Sequence, residues 1–184
     1  RGLTGDTTVS FRPSDLPRFD WLGNGLVVGV PVPVWILLAA TLLVLVLMRL
    51  TVFGSYLYAI GFNLEAARFS GVRIHTLRTA AFTLSALLAG VAGILEASAI
   101  RSVAPSSSGI AYELHGITAA VLGGCALRGG RGSIVGIVVG AAVLKVLQRM
   151  IVFLGLETHW TDAVVGLVLL VAVVSDALVK RRRA

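Results

Sequence analysis

Cysteine is almost missing from this 184-residue chain: Cys125 stands alone, so no intrachain disulfide can form and cysteine usage says nothing about compartment. Histidine is nearly as scarce, and His75, His115 and His159 lie too far apart for ligand spacing, so no metal site is expected. Charge is thin as well. With 57% apolar and only 14% charged residues, the chain cannot cover a water-soluble globule, whose apolar share is about 45–50%. The mean hydropathy of +0.92 agrees. These scarcities exclude the soluble classes and leave an all-α polytopic membrane protein.

Acidic residues number 9 against 16 Lys and Arg, a net charge of +7. Such an excess can mark nucleic-acid binding. Here the basic residues sit at the ends of apolar runs, with Lys180-Arg181-Arg182-Arg183 closing the chain, and that placement is the pattern of membrane orientation. Nucleic acid is therefore not an expected partner; membrane lipid is. No nucleophile, base and orienting group recur together, so intramembrane catalysis has no support. The chain opens on Arg1 with a polar stretch, no initiator methionine and no signal-peptide pattern, as if cut from a longer protein.

Five apolar segments can be read, over residues 30–48, 80–99, 111–127, 134–154 and 163–179. A helix needs about 20 apolar residues to cross a hydrocarbon core about 30 Å thick. Pro31 and Pro33 open the first segment, where a missing N–H costs little. The third segment is strictly apolar only from Ile117 to Leu127, too short to cross alone. Extended back to Ala111 it makes a crossing; the alternative is a half-helix of the kind transporters use at membrane depth. Charge favours five crossings. Arg49, Arg68, Arg73, Arg78, Arg128, Arg131 and the basic tail then lie on the cytoplasmic side, with Arg101 alone in the outer loops and residues 1–29 periplasmic.

Small residues recur at four-residue spacing. Gly132, Gly136 and Gly140 form one expected ridge, and Ala89, Gly93 and Ala97 another; such ridges let membrane helices approach closely. Charges inside the apolar runs are Glu96, Lys145 and Arg149, with Glu113, Asp162 and Asp176 at interfaces. Intramembrane charges invite a relay role, but positions near helix ends favour snorkelling or structural pairing.

Two segments stand apart. Residues 49–79 form a loop long for a simple connection, and within it lies Gly61-Phe62-Asn63-Leu64-Glu65-Ala66-Ala67-Arg68-Phe69-Ser70-Gly71. Asn63 suits an N-cap, Glu65 the first turn of a helix, and Gly71 a C-terminal stop. A helix of about two turns is unstable alone in water, so docking must hold it. Ala66 and Ala67 keep a face shallow and Phe62 or Phe69 could anchor it in a groove; lying flat on lipid is the alternative. The second segment, Leu122 to Ser133, carries Gly123, Gly124, Gly129, Gly130 and Gly132. It lacks the Gly-Lys-Ser/Thr of a phosphate loop and is better read as a tight turn between membrane helices, anchored by Arg128 and Arg131.

The first motif, through Val72, resembles the cytoplasmic coupling segment of ABC-importer permeases for ribose, xylose and related sugars. Tyr112-Glu113-Leu114-His115-Gly116-Ile117-Thr118-Ala119-Ala120-Val121-Leu122-Gly123-Gly124, continuing into Leu127-Arg128-Gly129-Gly130-Arg131-Gly132-Ser133, resembles a later motif of the same family. The likeness runs from about residue 20 to the end and departs at Phe62, His115 and Arg128, which bears on substrate rather than family.

The resemblance implies a ten-span inner-membrane permease of which this chain is the C-terminal half, with a cytoplasmic C-terminus. The importer would comprise two permease subunits, identical or different, two cytoplasmic ATPases that hold the ATP and magnesium, and a periplasmic binding protein; no cofactor is expected on this chain. Docking on the ATPase would fall to Gly61, Asn63, Glu65, Ala66, Ala67, Arg68, Ser70 and Gly71. Branched-chain amino-acid permeases are relatives, so that cargo is the alternative to a monosaccharide. The competing classes are an ATP-independent secondary transporter and a structural membrane subunit.

Overall fold

The structure, a computed structural model, describes residues 9–10, 17–104, 109–126, 129–155, 163–170 and 173–174. Helices dominate it, and three of them are long and apolar enough to cross a membrane. The chain divides into two compact units, Arg1–Val46 with His75–Ile110, and Leu47–Ile74 with Ala111–Ala184.

In the first unit, α1 (Pro17–Asn24) precedes a hairpin of β2 (Leu26–Val27) and β3 (Val30–Pro31). The hairpin turns through Val28 and Gly29, both at positive φ, as a two-residue primed turn requires. Helix α2 (Val32–Leu50) follows, with Pro33 in its first turn. Helix α5 (Ile74–Ile100) runs 27 residues, about 40 Å at 1.5 Å per residue and longer than the bilayer core. Strand β1 (Val9–Ser10) pairs antiparallel with β4 (Ser102–Val103) just beyond it.

Of α2 only Val32 is buried, and of α5 only Ser98. Leu37, Leu38, Leu42, Phe82, Leu87 and Ile94 are all exposed. Apolar faces this long are not left to water and need lipid or protein over them. On the small-residue ridge expected on this span, Gly93 faces open space among the described residues.

In the second unit, the expected loop over 49–79 is mostly helical. Helix α3 (Val52–Phe62) starts right after α2, helix α4 (Leu64–Phe69) follows one residue later, and α5 begins at Ile74 rather than residue 80. At Thr51, the one residue between α2 and α3, Oγ1 donates back to Leu47 O at 2.6 Å. A Cβ on Gly54 would come within 2.1 Å of Met48 O, so no other residue fits there.

Helix α6 (Tyr112–Leu122) has 11 residues, about 16 Å, shorter than the segment expected over 111–127. Its start is cut by Ala111 at φ 65° and its end by Gly123 and Gly124, the latter at φ 84°. The half-helix alternative fits this better. Helix α7 (Ile134–Phe153) is long enough to cross and packs antiparallel on α6.

Their contact is nearly backbone on backbone. A Cβ on Gly136 would lie 2.2 Å from Gly123 O, and one on Gly140 would lie 2.4 Å from Ala119 O. Gly132, expected on the same helical ridge, lies outside α7, because Ser133 caps the helix by accepting from Gly136 N at 3.2 Å. Among the described residues of this unit, Thr118, Ala119, Leu144, Ile151 and Val165 are buried, as are Ile60, Ala67 and the glycines Gly54 and Gly140. Residues 163–170 and 173–174 are helical; the rest of the expected fifth span, the basic tail and Arg128 lie outside the described residues.

Candidate functional site

Helix α4 is built by local chemistry at both ends. Asn63 breaks the chain out of α3 with an extended backbone, φ −149° and ψ 105°, and its Oδ1 accepts from Ala66 N at 3.0 Å. Glu65 stands in the first turn and Arg68 in the last, each at the favoured end of the helix dipole. At the C-terminus Gly71 takes φ 78°, its N–H donates to Arg68 O at 3.1 Å, and Val72 N donates to Ala67 O at 3.3 Å. That pair of bonds is a Schellman stop, and Ser70 adds a hydroxyl bond to Ala66 O at 2.9 Å.

Most of the helix and its flanks are exposed. Phe62 and Phe69 are 76% and 90% exposed, and Leu64, Glu65, Ala66, Arg68 and Ser70 are exposed with them. Ala67 is the exception at 5% exposed. It belongs to the seat of the helix, so Ala66 and Ala67 do not share one shallow outer face.

Gly61, expected among the docking residues, is helical and lies in the last turn of α3, against Gly129 and Gly130 of the glycine turn. A Cβ on Gly61 would stand 2.3 Å from Gly130 N, and one on Gly130 would stand 2.8 Å from Phe62 N. Gly129 and Gly130 both have positive φ, 84° and 76°, where side chains are strained as well as crowded. Tyr58 Oη donates to Gly132 O at 3.2 Å, a contact the sequence pattern did not single out. The only available signal was that Tyr58 precedes Gly61 by three residues and so shares its helix face. Gly124 and Cys125 close α6 with the same stop seen on α4, donating to Val121 O and Ala120 O, each at 2.9 Å. Gly132 sits over Cys125, and Arg131 is exposed.

His115 Nε2 and Gln148 Nε2 meet at 3.3 Å between α6 and α7, with the Tyr112 ring 6.3 Å from the His115 ring. Lys145 and Arg149 border an apolar groove along α7 with Met150 and Phe153. Among the described residues no group of three or more His, Cys, Asp or Glu could hold a metal ion.

The family model described as "Branched-chain amino acid transport system / permease component" matches residues 3–173. The chain belongs to this permease family. With its long apolar helices it is a multi-pass membrane protein. It is 39% identical over 158 residues to the ribose import permease protein RbsC of Escherichia coli (strain K12), covering 86% of this chain and 49% of that protein. The RbsC of Bacillus subtilis (strain 168) is 37% identical over the same shares. The xylose transport system permease protein XylH of Escherichia coli (strain K12) is 40% identical over 154 residues, 84% of this chain and 39% of that protein. The chain thus spans about half the length of the curated relatives it matches. No solved structure matches it.

Proposed function

We propose that this chain forms part of the translocating permease of an ATP-driven importer whose cargo is a monosaccharide, a pentose or hexose. One observation carries the reading. A permease of this family carries a six-residue helix capped at both ends, with Phe69 exposed beside Glu65, Ala66 and Arg68 and Phe62 exposed just before its N-cap. So short a helix needs a partner to cover it, and apolar anchors on a helix are what a groove receives.

The partner is a cytoplasmic ATPase subunit. Closure of the ATPase dimer on ATP and magnesium, both held there and not by this chain, moves α4. The helices behind it carry the movement to a pathway that opens alternately to either side. A second permease subunit completes that pathway, and a periplasmic binding protein delivers the sugar. The protein lies in the bacterial inner membrane, with α4, the glycine turn and the basic tail in the cytoplasm. Support for this sidedness comes from Arg68 within α4 and Arg131 within the glycine turn, which meets the end of α3 at Gly61 and Gly130. The family description favours branched-chain amino acids as the alternative cargo, and the names of the ribose and xylose permeases favour sugars.

The test is uptake by the full-length protein with its partner subunits, carrying Glu65→Lys and Phe69→Asp, both at exposed positions. Uptake of labelled ribose or xylose falls about tenfold or more, the effect of losing about 1.4 kcal/mol of docking free energy. The amount of protein in the membrane stays the same. Undiminished uptake would falsify the docking role, and uptake of labelled leucine in place of either sugar would reassign the cargo.

A further inference from the structure

The segment α3–α4 meets the glycine turn through main chain, with almost no side chain between them. Gly61 and Phe62 on one side face Gly129 and Gly130 on the other, at distances that leave no room for a Cβ at Gly61 or Gly130. One turn earlier, Tyr58 fixes the same helix to Gly132 by its hydroxyl. These are two independent tethers between the same two segments.

Each segment is in turn continuous with a larger body. Asn63 joins α4 to α3 by three bonds: its N–H to Ala59 O, its carbonyl from Ala67 N, and its side chain from Ala66 N. The glycine turn runs into α7 through the Ser133 cap and closes α6 through Gly124 and Cys125. Helices α6 and α7 are locked by Gly136 on Gly123 and Gly140 on Ala119. A load applied to the exposed face of α4 therefore passes through the last turn of α3 to the α6–α7 hairpin without crossing a flexible side chain. Close-packed contacts of this kind transmit displacement instead of absorbing it.

We propose that Gly61, Gly130 and Tyr58 are positioning residues for transport: they form the joint through which movement of α4 drives the α6–α7 hairpin. The proposal rests on α4 being the ATPase-docking element. It adds that docking and transmission are separable, and that transmission resides in this backbone contact.

The experiment uses the full-length protein reconstituted with its ATPase and second permease subunit in proteoliposomes. Gly61→Ala forces the turn away from α3, and Tyr58→Phe removes one hydrogen bond while keeping the ring. ATP hydrolysis, ATPase co-purification and sugar uptake are measured separately. In Gly61→Ala the ATPase stays bound and hydrolysis continues, while uptake per ATP falls about tenfold, within the range that coupling between two sites commonly spans. Tyr58→Phe lowers uptake per ATP in the same direction by a smaller factor, and it decides alone if Gly61→Ala does not accumulate. Unchanged uptake per ATP in Tyr58→Phe together with an unchanged or non-accumulating Gly61→Ala overturns the joint. Loss of the ATPase from either variant also overturns it, because the contact then only seats α4. Failure of the docking reading looks different: the wild-type protein would bind no ATPase at all.

Discussion

Arg101 grips Asp20 with two prongs, Nε to Oδ1 at 2.6 Å and Nη2 to Oδ2 at 3.2 Å, across 81 residues of sequence. The pair fastens α1 to the end of α5, where Ser98 Oγ also donates to Phe19 O and Asn24 Nδ2 donates to Ser98 O at 3.2 Å. Gly23 permits the approach, since a Cβ there would lie 2.5 Å from Ala99 N. The Arg101 hydrogen bonds and charge hold the Asp20 carboxyl below its ordinary value, and Asp20 raises Arg101 in return.

A carboxylate whose folded pKa is lowered contributes stability above its unfolded value, about 3.9, and loses it as pH falls through the lower folded value. Acidification from pH 7 to below 3 should therefore release α1 before the long helices respond. Amide exchange over residues 17–24 should quicken, and Asp20→Asn should produce the same quickening at pH 7. The pair is solvent-exposed, so the global melting temperature should hardly move. Exchange in α1 that is indifferent to both changes would show the clasp to be idle.

Asn63→Ala removes the side-chain cap of α4 and should cost about 1 kcal/mol of local stability, roughly a fivefold rise in the open population. Protection of the Ala66 amide reads this directly. Gly71→Ala strains the left-handed stop and should loosen the opposite end. If protection across residues 64–69 survives both variants, the seat of Ala67 and not the caps holds the helix.

Gly140→Val should open the α6–α7 hairpin, because its Cβ would sit 2.4 Å from Ala119 O. Overpacking of this kind costs about 1–3 kcal/mol. Gly116→Ala is the matched control: it lies within α6 and faces open space, and it should gain up to about 1 kcal/mol from helix propensity. Equal melting temperatures in detergent for the two variants would refute the close contact.

The bridge between His115 and Gln148 should be weak despite its setting between apolar helices. Interhelical polar contacts in membranes average about 0.6 kcal/mol by double-mutant cycle. A cycle with His115→Leu and Gln148→Leu in the full-length protein should return a coupling of that size. A value above about 2 kcal/mol would mean the pair does more than join two helices.

Some of this was legible in the residue order. The cap at Asn63 and the stop at Gly71 follow from neighbours three to five residues apart, so they can be read without a fold. The apolar runs of α2 and α7 announce themselves by length. The start of α5 does not, because apolarity marks where lipid lies while the helix itself continues through His75, Thr76 and Arg78. Helix α3 is hidden by Gly54, Ser55 and Gly61, which interrupt its pattern. Gly132 was expected on a helix, and Ser133 begins that helix one residue too late for it.

Sequence alone determined the membrane class, the ends of α4 and the kinship to transport permeases, since composition, local caps and motif order need no partner in space. Only the tertiary structure decided that Ala67 points inward, that α6 ends after 11 residues, and that Gly61 rests on Gly130. A contact between two glycines leaves no side-chain pattern to read. Its meaning lies wholly in which distant backbone occupies the space where a Cβ would have been.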